Sequence, residues 1–138
     1  GLWAPLNATW GIENRTCGSR VILGPSDSAA RIELRQTAAD INPYVTMATC
    51  LASGLYGIEQ KIKPPPETSG DATASGEAAL ALPLTLEAAV AKLRASESAR
   101  EMLGDGFVDH YIRTRDWECR QYNRSVSEWE LRRYFEAV

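Results

Sequence analysis

The residues that could do chemistry fall early in this chain. Glu13, Asn14, Arg15 and Arg20 come first, then Arg31, Glu33 and Arg35. The run Arg31-Ile32-Glu33-Leu34-Arg35 alternates strictly between charged and apolar. On a strand successive side chains point to opposite faces, so the three charged residues share one face and Ile32 and Leu34 the other. Arg15 and Arg20, on the segment before, would bring four arginines and one or two carboxylates onto one small surface. Guanidinium groups bind phosphate and carboxylate bidentately. A carboxylate set among them stays ionised and can hold a divalent cation. Such an array suits phosphoryl transfer, which needs fixed cations around the migrating group. The same alternation also fits a solvated strand face with cross-strand ion pairs, and pattern alone leaves both readings open.

Several elements must position these residues. Ser19-Arg20-Val21-Ile22-Leu23 is a short run rich in β-branched residues, Gly24-Pro25-Ser26-Asp27-Ser28 is turn chemistry, and the alternating run follows. Together they predict a β-hairpin over about 18–36. Residues 1–17 read as irregular, with Trp3, Leu6 and Trp10 as apolar anchors. From Asp40 the period changes: Tyr44, Met47, Ala48, Leu51, Leu55 and Ile58 recur at helical spacing. This predicts a helix over about 41–61, capped by Asp40 with Asn42-Pro43 in its first turn. Its small residues Ala48, Ala52, Ser53 and Gly54 suit close packing. Lys63-Pro64-Pro65-Pro66 ends it, and residues 64–79, rich in Pro, Gly, Ser and Thr, read as a surface loop and a candidate domain boundary. Further helical patterns cover about 85–103, where Ser96 caps a short turn, then 106–122 and 126–136, the last capped by Ser125 or Ser127. The fold class is α+β: a β-hairpin followed by a mostly helical C-terminal half.

Bulk properties set limits. The chain has 138 residues, of which 44% are hydrophobic and 24% charged, as in an ordinary globular domain. A net charge of -3 gives no electrostatic reason to expect nucleic acid or a membrane surface as partner. No apolar run approaches the roughly 20 residues of a membrane span. Cys17, Cys50 and Cys119 are odd in number and widely spaced, against a disulfide framework or zinc site and for buried, reduced thiols in a cytoplasmic protein. The start, Gly1-Leu2-Trp3-Ala4-Pro5, has neither a basic nor an apolar leader segment and no initiating Met, which suggests a fragment without a signal peptide.

Ordered motifs add a resemblance. Asn14-Arg15-Thr16-Cys17 with Arg20 resembles the glutamine synthetase motif N-R-S-A-x-x-R, and Arg31-Ile32-Glu33-Leu34-Arg35 resembles its R-I/V-E-x-R strand. Asp40-Ile41-Asn42-Pro43-Tyr44, followed by Ala52-Ser53-Gly54-Leu55-Tyr56-Gly57-Ile58, is similar to the helix that follows in the family. Leu82-Pro83-Leu84-Thr85-Leu86-Glu87-Ala88, Phe107-Val108-Asp109-His110-Tyr111 and Trp129-Glu130-Leu131 with Tyr134-Phe135 are similar to later segments. The resemblance runs in order over essentially the whole chain and places it in the C-terminal part of the catalytic domain, so the hairpin would belong to an antiparallel catalytic sheet.

The resemblance implies an ATP-dependent ligase that joins an amine to glutamate through γ-glutamyl phosphate. Its sites lie between subunits of a ring, with ATP and two divalent metals (Mg2+ or Mn2+). By motif, Glu33 is a metal ligand, and Arg35 holds glutamate or the transferring phosphoryl group. Arg15, Arg20 and Arg31 would contact nucleotide phosphates and stabilise the charge developing during transfer, with Arg15 and Arg35 as the catalytic residues. Ammonium-using members carry a flap Glu where this chain has Trp3. An apolar wall there suits a larger amine, such as a polyamine or ethanolamine, although Trp3 could equally be a packed aromatic. The family's other metal carboxylates, a metal histidine and an Asn-Gly segment that binds glutamate lie upstream of these motifs, so the piece alone is expected to be inactive. His110 reads as structural, and Asp105, Asp109, Arg113, Arg115 and Asp116 as a solvated helix face. The alternative is a non-catalytic relative in which the fold serves assembly. In isolation the sheet edge and apolar faces would drive self-association.

Overall fold

The computed structural model describes residues 4–74 and 81–136, so Trp3 and its reading lie outside the described residues. The chain divides into two compact units, Gly1–Leu82 and Pro83–Val138.

The first unit is built on a three-stranded sheet. Strands β1 (Trp10–Ile12), β2 (Ser19–Ile22) and β3 (Arg31–Leu34) lie in the order β1-β2-β3. β2 and β3 pair antiparallel with Arg20 opposite Glu33 and Ile22 opposite Arg31, as a hairpin requires. A 3-10 turn at Asp27–Ala29 fills the connection. β1 corrects the expectation of irregular chain there. It runs parallel to β2, Trp10 opposite Ser19, so the sheet is mixed and not purely antiparallel. A three-residue strand centred on Gly11 has too few side chains to show a period of two, which hides it in the sequence. Among the described residues of this unit, Cys17, Ile22 and Ala72 are the buried hydrophobic side chains.

Helix α1 (Pro43–Glu59) starts with a different cap from the expected Asp40. Asn42 is extended, and its Oδ1 accepts hydrogen bonds from the backbone N–H of Tyr44 (3.1 Å) and Val45 (3.3 Å). Pro43 dictates this: a proline at the first helical position forces the residue before it out of helical geometry, which leaves Asn42 as the cap. The helix stops before the prolines. Lys61 takes a left-handed φ of 52°, and the N–H of Ile62 reaches back to the carbonyl of Gly57 at 2.9 Å. No residue of α1 is buried. Tyr44, Met47, Leu51, Leu55 and Ile58 form an exposed apolar stripe, and Cys50 is exposed too, against the expectation of buried thiols.

The second unit is helical: α2 (Leu86–Arg94), α3 (Glu97–Leu103), α4 (Asp105–Arg124) and α5 (Glu128–Tyr134). The expected span 85–103 is two helices, because Ser96 leaves helical geometry and caps α3 through its hydroxyl on the N–H of Ala99, 3.1 Å away. Gly104 joins α3 to α4 at a φ of 81°, a conformation that disfavours any side chain. The core is Val90 of α2 with Val108 and Ile112 of α4, flanked by Leu93 and Leu103. The acidic face of α4 is not merely solvated. Asp105 and Asp109 both bind Arg100 of α3 at 2.9 Å, and Asp116 binds Arg94 of α2 in bidentate fashion at 3.0 and 2.9 Å. These pairs ring the small core and fix the two shorter helices against α4. Among the described residues no helix is long and apolar enough to cross a membrane.

Candidate functional site

The turn after β1 is fastened by its own side chains. Asn14 donates from Nδ2 to the carbonyls of Thr68 (3.0 Å) and Gly70 (2.8 Å). Its Oδ1 accepts from the N–H of Thr16 (3.0 Å) and from the Thr16 hydroxyl (2.7 Å). The amide thus uses both donors and both acceptor sites. The N–H of Ala72 donates to the Thr16 hydroxyl at 2.9 Å, the N–H of Ile12 to Glu67 Oε1 at 3.1 Å, and the Trp10 indole to the carbonyl of Pro65 at 2.7 Å. The Pro-rich segment after α1 is therefore strapped along β1. Gly11 permits the approach: a Cβ there would lie 2.7 Å from the carbonyl oxygen of Thr68. Sequence reasoning read this segment as a surface loop and missed its partners. The one local signal was Asn14-x-Thr16, a spacing that favours side-chain bonds to nearby backbone.

The charged cluster grows from the β2–β3 register. Arg20 and Glu33 face each other across the strands, and Arg35 lies two residues on from Glu33, on the same face. Arg20 binds Glu13 through one terminal nitrogen and Glu33 Oε2 through the other at 3.4 Å. Arg35 reaches Glu33 Oε1, also at 3.4 Å. Both arginines are largely buried while the Glu33 side chain keeps 42% of its surface exposed. Glu13 first, then Glu33, holds the Arg20 guanidinium above its already high range, against the opposing cost of burial. Arg20 Nε is buried and has no hydrogen-bond partner among the described residues. The array therefore has one open carboxylate, suited to a cation, set between two guanidinium groups, suited to charged oxygens.

Two expected members stand apart. Arg31 is exposed and turns back to the carbonyl of Ala29 at 3.1 Å. Arg15 is exposed beside a shallow groove of about 520 Å³ that Glu13, Asn14, Thr16 and residues 67–70 also line. Its side chain makes no hydrogen bond or ion pair among the described residues. So the structure brings Arg20, Glu33 and Arg35 together and leaves Arg15 and Arg31 at the margin. His110 is exposed on α4 of the second unit.

Residues 1–134 match the family model described as glutamine synthetase, catalytic domain. The chain belongs to the glutamine synthetase family. Among its relatives, type-1 glutamine synthetase 2 of Dictyostelium discoideum is 44% identical over 142 residues, which cover 100% of this chain and 27% of that protein. Glutamate–isopropylamine ligase of a Pseudomonas species is 44% identical over 137 residues, 99% of this chain and 30% of that protein. Gamma-glutamylethanolamide synthetase of Streptomyces coelicolor is 37% identical, covering 100% and 29%. A solved structure described as apo GmaS without ligand superposes with a TM-score of 0.77 at 32% identity, over 96% of this chain and 31% of that one. The chain thus spans under a third of the length of these relatives.

For a glutamine synthetase family chain, the donor set can be tested against a divalent metal. Among the described residues no three His, Cys, Asp or Glu side chains gather. Glu33, half-exposed between two arginines, fits as one ligand of a larger set and not as a whole metal site.

Proposed function

We infer that the protein to which this chain belongs is an ATP-dependent glutamate–amine ligase acting through γ-glutamyl phosphate. The observation that carries this reading is the Glu33 carboxylate held open between Arg20 and Arg35 on the motif-bearing strand pair. In that reading Glu33 supplies one oxygen ligand to Mg2+ or Mn2+, and the cation neutralises phosphate oxygens when bound. Arg35, fixed beside Glu33, holds glutamate or the phosphoryl group in transfer. Arg20, held between Glu13 and Glu33, contributes positive charge toward a nucleotide phosphate. Arg15 and Arg31, both exposed, contact the nucleotide phosphates when these are present. Arginine suits all these places because it stays charged and cannot compete as a nucleophile.

The remaining ligands would come from the rest of the polypeptide and from a neighbouring subunit, so the working form is a cytoplasmic homo-oligomer and the isolated piece is inactive. The amine is larger than ammonium. Trp3 stands where an ammonium-using flap carries Glu, and two relatives are named for isopropylamine and ethanolamide chemistry. A relative of equal identity is named a glutamine synthetase, so the amine is the point to measure. The test supplies the full-length protein with ATP, Mg2+, glutamate and either ammonium, isopropylamine, ethanolamine or a polyamine, and follows phosphate release and amide formation. Amide formation that is fastest with an alkylamine is expected. Ammonium as the best substrate would reject the amine preference, and no amide from any amine would reject the ligase.

A further inference from the structure

Glu13 has no role in the reading above, yet it is built into the same cluster. It sits in the left-handed region, at a φ of 51°, which disfavours a side-chain-bearing residue. Its backbone is locked there by a bond from its N–H to the carbonyl of Val21 at 2.9 Å and by the fastened Asn14 that follows. From this position its carboxylate binds Arg20. Among the described residues, Arg20 is the one cation that touches both Glu13 and Glu33.

The contacts to Glu33 are long. Both are 3.4 Å, against the roughly 2.7–2.9 Å of a well-formed charged hydrogen bond. Glu33 is oriented by its arginines without being tightly closed on by either. Among the described residues, Glu13 is the only other acid on Arg20. Without its charge, the Arg20 guanidinium would have Glu33 as sole counter-ion. It would then close on the oxygen that a cation needs. We propose that Glu13 is a positioning residue that acts through Arg20: by taking up that guanidinium's charge it keeps the Glu33 carboxylate available to a divalent cation. This rests on the reading of Glu33 as a cation ligand.

The test is calorimetric titration of the full-length protein with Mn2+ alone, without nucleotide or turnover. The relevant site is the one that disappears in Glu33→Gln. Glu13→Gln is expected to weaken that site roughly tenfold, the lower range for residues that orient a metal ligand. Glu13→Asn, which suits the left-handed backbone, is expected to do the same and separates charge from strain. The double variant Glu13→Gln/Arg20→Gln is expected to bind more tightly than Glu13→Gln alone, because the competing guanidinium is gone. A merely structural role predicts the reverse order. Wild-type affinity in both single variants, or a double variant no tighter than the single, overturns the proposal while leaving Glu33 a ligand. A Glu33→Gln protein that binds Mn2+ like wild type overturns the reading of Glu33, and this inference with it.

Discussion

At the scale of the residue, two side chains decide whether the cluster exists. Asn14 joins the β1 turn to the strap at residues 68–70 through two hydrogen bonds and holds Thr16 of the turn through two more. Asn14→Ala removes the side-chain partner of the partly buried Thr68 carbonyl and of the Thr16 N–H, so it should lower stability by about 1–3 kcal/mol in urea unfolding. Asn14→Asp should be worse than Ala, since it sets a carboxylate against two carbonyl oxygens. Equal stability of all three forms would show that the strap is held elsewhere. Arg35→Lys should cut turnover of the full-length protein while raising the KM for glutamate, because an ammonium cannot reproduce the planar fork beside Glu33. The charged half of this cluster was legible in the sequence, since alternation on one strand fixes which side chains share a face. That Arg31 would turn away to Ala29, and that Glu13 would reach Arg20, was not. Both depend on loop geometry that no periodicity encodes.

At the scale of the element, caps and small cores carry the stability. Asn42→Ala should lower stability by about 1 kcal/mol, whereas Asp40→Ala should have no effect on α1. Ile112→Ala should lower stability by about 2–5 kcal/mol, since Ile112 is one of three residues in the core of the second unit. Gly104→Ala meets no steric neighbour, so its cost is the backbone alone, a positive φ of 81° with ψ 144° that glycine nearly monopolises, about 1–3 kcal/mol. The start of α5 is pH-sensitive. Glu130 accepts bonds from the N–H of Ser127 at 2.8 Å and from its hydroxyl at 2.7 Å, and these hold its carboxyl below the usual range. Its contribution is therefore complete above the ordinary glutamate range and is lost as pH falls through the lowered value. Amide spectra of residues 127–134 should show α5 fraying between neutral and strongly acidic pH, and Glu130→Gln should flatten that change. The helices were visible in the sequence through their periodic apolar residues, as at Tyr44, Met47, Leu51, Leu55 and Ile58 of α1. β1 was invisible for want of length, and the Asn42 cap was obscured by Asp40, an equally good capping residue that Pro43 puts out of register.

At the scale of the whole molecule, apolar surface outruns the described core. Ile32 is 71% exposed on β3, and the α1 stripe lies open from Tyr44 to Ile58. Each such side chain contributes about 1.5–3 kcal/mol when buried, so faces of this size are covered in a stable protein. The isolated chain should self-associate, and light scattering that finds a monomer would contradict this. Family membership was legible because the motifs recur in order along the whole chain, and no single one of them would have sufficed. What the strand pair is for depends on residues beyond it, because one carboxylate does not make a metal site.

The central claim is that Glu33 is an oxygen ligand of the divalent cation that neutralises the phosphoryl group in transfer. It is tested most directly by Glu33→Gln in the full-length protein, assayed for amide formation and for Mn2+ binding on the same folded sample. The account predicts that one Mn2+ site is lost and turnover falls by at least about 100-fold, as when a charge-stabilising group is removed from the transition state. Undiminished turnover with all Mn2+ sites intact would contradict it.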